Sequence, residues 1–373
     1  MRTILLGQIM ILAFISPMTA FAQSVDISVD SSLADYIVEI ACSDSEVDED
    51  FLRNSQLLRA QIKHHNGNSD RHTMDAFIAA ASAAARCEVL EPDLFRFRYV
   101  VEDTDTIAAA VAFFKSHEKE LAAFVAAKTA PYFPADKEYT GEIAIVAASW
   151  SCGGFSMDGA FFVDVPCVAD SIEDEFEAIK ILSAHETYHA LQYEFFTPFS
   201  EDMDAVRTSD AAHAYLFLNL LLEGTAEYIA DSRDVPGEGR LASVFRRFAA
   251  KGYRQMEANF RWLDYSASIL SANDSTNLRM RDVYAFGFSG SNDQAFYYVG
   301  AEIARGIEAE FGRQSLVCIM GLSPEQFVLA YHAAELQDEE SGFYDIGPSV
   351  LKAARRLGEN NDSYNSCFEN VTR

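Results

Sequence analysis

His185-Glu186-Thr187-Tyr188-His189 constrains the fold of this 373-residue chain more than any other stretch. Residues four apart lie on one face of an α-helix, about 5–6 Å between Cβ atoms. Two imidazoles so spaced on a helix can both aim a nitrogen at one ion about 2.0–2.1 Å away. Glu186 lies off that face, so its carboxylate is free to take a proton from a water beside the ion. The flanks read as helix too. Ser171 offers an N-cap, and Glu173 and Asp174 bring acid to the first turn. Phe176, Ile179, Ile181, Leu182, Tyr188 and Leu191 follow a helical apolar pattern with neither Gly nor Pro until Pro198.

A second helical stretch supplies a partner. It starts near Ser209-Asp210, runs through Tyr215, Leu216, Leu218, Leu220, Leu221 and Leu222, and reaches Asp231. Glu223 is embedded in that apolar surface, where a carboxylate is costly unless it is paired, protonated or bound to a metal. Gly224 costs the helix about 1 kcal/mol against Ala, but its missing side chain lets two helices come close. Glu227 falls on the same face as Glu223 and can orient a ligating histidine from behind.

H-E-x-x-H on one helix followed by E-G-x-A-x-Y on the next resembles the gluzincin metallopeptidases. The resemblance implies His185, His189 and Glu223 as ligands of one Zn2+ per chain, with Glu186 as general base. The chain also resembles a group of bacterial zinc-dependent peptidases in Tyr297-Tyr298-Val299-Gly300, Ala301-Glu302-Ile303-Ala304 and Phe311-Gly312-Arg313. The similarity covers roughly residues 140 to 320. It points to Tyr297 and Tyr298 as hydroxyl donors to the tetrahedral intermediate of acyl transfer. The gap between His189 and Glu223 is longer than in the aminopeptidases that share E-G-x-A-x-Y. Their amine-binding G-x-M-E-N segment is missing, which weighs against an exopeptidase of that type.

Ahead of the first helix, Glu142–Trp150 and Gly159–Val165 read as short strands separated by the turn Cys152-Gly153-Gly154, suggesting a hairpin or small sheet. In gluzincin-like enzymes the edge of such a sheet pairs with an extended substrate. Ala-rich helical runs, Met74–Arg86 and Thr106–Ala127, precede the break at Pro131-Tyr132-Phe133-Pro134. After the break at Pro236-Gly237-Glu238-Gly239 come Leu241–Leu263, Gln294–Phe311 and Pro324–Glu335. The expected class is mainly α (α+β), a helical zinc-peptidase fold with a small sheet packed beside the H-E-x-x-H helix. Four regions form one compact unit: residues 1–22 as a signal peptide, 23–135 as an N-terminal helical region, 136–235 as the metal-binding core and 236–373 as a C-terminal helical region.

Arg2, the apolar run Ile4–Phe21 and the small-residue site Ala20-Phe21-Ala22 carry the three parts of a secretory signal peptide. An exported chain, periplasmic or secreted, is therefore expected. Cys42, Cys87, Cys152, Cys167, Cys318 and Cys367 all follow the leader, and their even number favours disulfides. Pairing of chain neighbours, Cys42 with Cys87, Cys152 with Cys167 and Cys318 with Cys367, would close local units. His64, His65, His72, His117, His213 and His332 read as solvated or locally satisfied. A formal charge of −28 with 49% hydrophobic residues describes an acidic globular protein, too negative for nucleic acid or for anionic membranes once the leader is removed. The partner expected instead is a peptide or protein substrate; oligomeric state is not legible here. A metal-dependent hydrolase of peptide bonds is one reading, and a non-catalytic exported binding protein that keeps the helical scaffold is the other.

Overall fold

Val25, Ile27 and Val29 alternate with Asp26, Ser28 and Asp30, and this period of two makes strand β1 (Ser24–Asp30). The computed structural model describes residues 24–66, 69–149, 154–193, 208–233, 235–276, 278–337, 342–358 and 362–368. The leader at 1–22, Trp150, Cys152, Gly153 and Pro198 lie outside them. β1 joins β2 (Glu138–Val146), β3 (Gly154–Met157) and β4 (Ala160–Asp164) in one sheet of order β1-β2-β4-β3.

Two expectations change here. The region from residue 23 opens on a strand instead of a helix, and the two expected strands do not form a hairpin with each other. β2 lies between β1 and β4 and is parallel to both, with Ser24 opposite Glu138 and Glu142 opposite Ala160. The hairpin is β3 with β4, antiparallel, turning at Asp158 (φ 50°) and Gly159 (φ 83°), an Asp-Gly pair suited to a tight turn with two positive φ angles. Ile143–Val146 and β4 are buried at every residue, as strands covered on both faces are.

Helices account for the rest. The N-terminal set is α1 (Ser32–Ile40), α2 (Glu49–Asn54), α3 (Gln56–Asn66), α4 (Met74–Ala85), α5 (Phe97–Glu102) and α6 (Thr104–Thr129). The two motif helices are α7 (Ile172–Tyr193) and α8 (Ser209–Ile229). They are followed by α9 (Arg240–Arg254), α10 (Met256–Leu270), α11 (Asn273–Thr276), α12 (Met280–Tyr284), α13 (Ala295–Phe311), α14 (Arg313–Met320), α15 (Pro324–Gln337) and α16 (Pro348–Leu357). The expected single run Leu241–Leu263 is two helices. Gln255 N–H bonds back to Lys251 and Gly252, and the Asn259 amide takes the Gly252 carbonyl, which ends α9.

Two apolar cores result. One surrounds the sheet with α1, α4 and α6; the other is built from α8, α10, α13, α15 and α16. Helix α7 belongs to both, giving Phe176, Ile179 and Ala184 to the first and Tyr188 and Leu191 to the second. The histidine pair therefore sits where the cores meet. Disulfide Cys42–Cys87 ties the segment after α1 to the segment after α4, and Cys318–Cys367 ties α14 to the turn Ser363–Cys367. Cys167 is also disulfide-bonded. Among the described residues no helix is long and apolar enough to cross a membrane.

The close approach expected at Gly224 occurs against α13. A Cβ on Gly224 would stand 2.3 Å from Gly300 Cα, and one on Gly300 would stand 2.3 Å from the Leu220 carbonyl oxygen. Because both obstacles are backbone, no side chain can swing aside. Gly224→Ala is expected to destabilise the fold by about 3 kcal/mol or more. Urea denaturation checks this, and an unchanged midpoint would mean that the helix pair can separate freely.

Candidate metal centre

Helix α7 brings His185 and His189 onto the face that meets α8, and α8 brings Glu223 to them. Nε2 of the two imidazoles lie 3.1 Å apart. Glu223 Oε2 lies 3.5 Å from His185 Nε2 and 3.2 Å from His189 Nε2. Tetrahedral zinc at about 2.0–2.1 Å from its donors sets them about 3.3 Å apart. The triangle thus has the size that zinc requires, and its donor set of two imidazoles and a carboxylate suits that ion. Among the described residues this is the one cluster of three or more His, Cys, Asp and Glu able to hold a metal.

Charge ties the three side chains together. Burial opposes a charged His189, but Glu223's carboxylate outweighs it and, with Glu186 and Gln192, raises the imidazole to about 9. Burial likewise pushes Glu223 up, and the two imidazoles more than reverse this, holding it well below the usual carboxylate range.

Around the triad, several side chains are tied to particular atoms. His189 Nδ1–H donates to Gln192 Oε1 at 2.8 Å, which leaves Nε2 as the ligand nitrogen. Gln192 is fully buried, and its amide donates in turn to the Leu222 carbonyl at 2.9 Å and to Thr225 Oγ1 at 2.6 Å on α8. Tyr284 OH donates to Glu223 Oε1 at 3.4 Å and meets Tyr297 OH at 3.0 Å. The Tyr297 ring lies nearly parallel to His185, centroids 5.9 Å apart. Burial, with Glu223 nearby, pushes the Tyr297 hydroxyl well above its ordinary value, so it keeps its proton.

Glu186 faces elsewhere on α7, where Ser156 Oγ on β3 donates to its Oε2 at 3.1 Å. Strand β3 is one of the sheet's two edge strands. Between it and α7 runs a cleft of about 680 Å³ lined by Ser156, Met157, Glu186, His189, Tyr193 and Glu223.

The structure brings His185, His189, Glu223, Glu186 and Tyr297 together. It separates the other two sequence candidates from the triad. Tyr298, one residue further round α13, packs against Gly252 and Tyr253. Glu227 Oε1 accepts from Ser232 Oγ at 2.6 Å and Ser232 N–H at 3.4 Å, so the group seen holding an imidazole is Gln192. Burial pushes Glu227 up to about 8 against the pull of Ser232. Gln192, Tyr284 and Ser156 were not picked out from sequence. Only Gln192 carried a local signal, its spacing three residues beyond His189 on one helix. Of the remaining histidines, His72, His117, His213 and His332 hydrogen-bond within the chain, His213 to the Ser209 and Ala267 carbonyls at 2.6 and 2.8 Å, and the His64 ring stacks on Phe155.

Replacing Gln192 by Ala should free the His189 ring and weaken zinc binding about 10–100-fold. Competition with a chromophoric chelator measures it. An unchanged dissociation constant would show that α7 alone orients the ring.

Residues 52–340 match a family model described as "Putative zinc dependent peptidase (DUF5700)". No curated protein and no solved structure matches the chain significantly.

Proposed function

We propose that this chain, which belongs to the DUF5700 family, is an exported zinc-dependent metallopeptidase that hydrolyses peptide bonds. The observation that carries the reading is the zinc-sized triangle of His185, His189 and Glu223 at the wall of a cleft that Glu186 also lines. Zinc held by those three residues would supply a Lewis acid that polarises a carbonyl and eases loss of a proton from water.

The remaining work falls to the chain. Glu186 takes the proton of the attacking water and returns it to the leaving amine, so that one carboxylate serves as base and then as acid. Ser156 occupies Glu186 Oε2, leaving Oε1 for the water. Tyr284 engages Glu223 Oε1 and leaves Oε2 to face the imidazoles. Tyr297, protonated and beside His185, is the donor placed to stabilise charge developing on the carbonyl oxygen. An extended peptide can add to the outer edge of β3, whose Ser156 and Met157 line the same cleft.

Export rests on the leader-like first 22 residues and on the two disulfides. The test is metal content with activity. Protein purified without chelators should hold about one zinc per chain and cleave a mixed peptide library, and a chelator should abolish the cleavage. Zinc bound without cleavage of any peptide would move the assignment to a non-catalytic binding protein.

A further inference from the structure

A second cavity, of about 120 Å³, adjoins His185 and Glu186 between α7, α8, α9 and α13. Its walls include Ile181, Leu182, Phe245 and Phe248, and Glu227 and Ser232 also line it. We infer that this cavity receives a lysine or arginine side chain of the substrate, with Glu227 as its counter-charge. The inference rests on the peptidase reading, because it takes His185 and Glu186 to mark the reacting centre.

The argument begins with what Glu227 lacks. It is 6% exposed, and a carboxyl so buried is unfavourable unless something compensates it. Ser232 supplies hydrogen bonds to Oε1 but no charge. Among the described residues no basic side chain forms an ion pair with Glu227. Arg233, whose charge reaches it, is committed to Asp231 through Nε at 2.9 and 2.8 Å. Among the described residues no Lys or Arg lines the cavity.

The walls select among possible occupants. An aliphatic side chain would suit Phe245, Phe248, Ile181 and Leu182 but would leave the carboxyl uncompensated. An acidic one would place a second buried carboxyl beside Glu227 with no cation to balance either. Lys and Arg combine a methylene stem for such walls with a cationic head for the acid. The cavity also borders His185 and Glu186, so a side chain that enters it belongs to a residue flanking the bond under attack. The formal charge of −28 favours approach of cationic segments.

The experiment uses the full-length zinc-loaded protein and peptides that carry Lys, Arg, norleucine or Glu on either side of a single cut site. Binding of the same peptides to metal-free protein is measured in parallel. Lys and Arg peptides should be cleaved with kcat/KM at least about tenfold above norleucine on one side of the bond, and bound with a similar preference. In Glu227→Gln, checked for an unchanged Tm, both ratios should collapse towards one. Equal cleavage and equal binding of Lys and norleucine by the native protein would overturn the inference, as would a preference that survives in Glu227→Gln. Selective binding without hydrolysis of any peptide would leave the cation site standing and remove the peptidase reading alone.

Discussion

Glu186→Gln should retain zinc and the fold while slowing peptide hydrolysis by about 10²–10⁴-fold, the usual worth of a positioned general base. The substitution is nearly isosteric, and an amide oxygen can still accept the Ser156 hydroxyl that reaches this side chain at 3.1 Å. The loss therefore reads proton transfer and little else. Zinc content by mass spectrometry, melting temperature and kcat on a single cleaved peptide are the three measurements. Full activity with zinc bound in both proteins would remove Glu186 from the mechanism. A fall in zinc content together with activity would make Glu186 a contributor to the metal site.

Glu223→Ala should raise the zinc dissociation constant more than about a hundredfold, beyond the 10–100-fold typical of groups that only orient a ligand. Two imidazoles 3.1 Å apart would remain, without the anion that balances the ion's charge. The change should also show in the metal-free protein. Glu223 is what raises His189 to about 9 against burial, so its removal should drop the His189 titration below neutrality in an NMR pH series. The imidazolium–carboxylate pair stabilises the metal-free fold below the ordinary histidine value, and that contribution disappears as pH rises through about 9. Zinc must displace this proton, so native affinity should climb between pH 6 and 9 and then level, a range set by the raised value about 9. Zinc affinity in Glu223→Ala within threefold of native would place the third ligand elsewhere.

Much of the centre was legible because it depends on helix periodicity. The four-residue spacings of His185 with His189 and of Glu223 with Glu227 specify shared faces whatever the rest of the chain does. Gly224 announced a close contact, and Gly300 supplies it. The order of the two tyrosines could not be settled that way. Adjacent residues on a helix point about 100° apart, so one of Tyr297 and Tyr298 had to turn from the triad, and packing of α13 against α9 decides which. Ser156 and Tyr284 reach the site across 30 and 61 residues of sequence, respectively, and no local period encodes such meetings. Strand β1 was different. Its region reads as helical in sequence; Val25, Ile27 and Val29 alternate over only seven residues, and the strand's partner lies beyond six helices.

That distant pairing sets an order of events during synthesis. Strand β1 is translated first, yet the Ser28 hydroxyl meets the Gly141 carbonyl 113 residues later, and β2 then lies parallel to it. Closing so long a loop is entropically expensive, and it gains nothing until β2 exists. The opening segment must therefore wait as an unpaired strand while α1 to α6 emerge behind it. A chain assembled in that sequence cannot complete its sheet early, and the metal helix α7, which packs on that sheet, is positioned later still. If the leader-like first 22 residues direct export, as proposed above, such a delay keeps the nascent chain threadable.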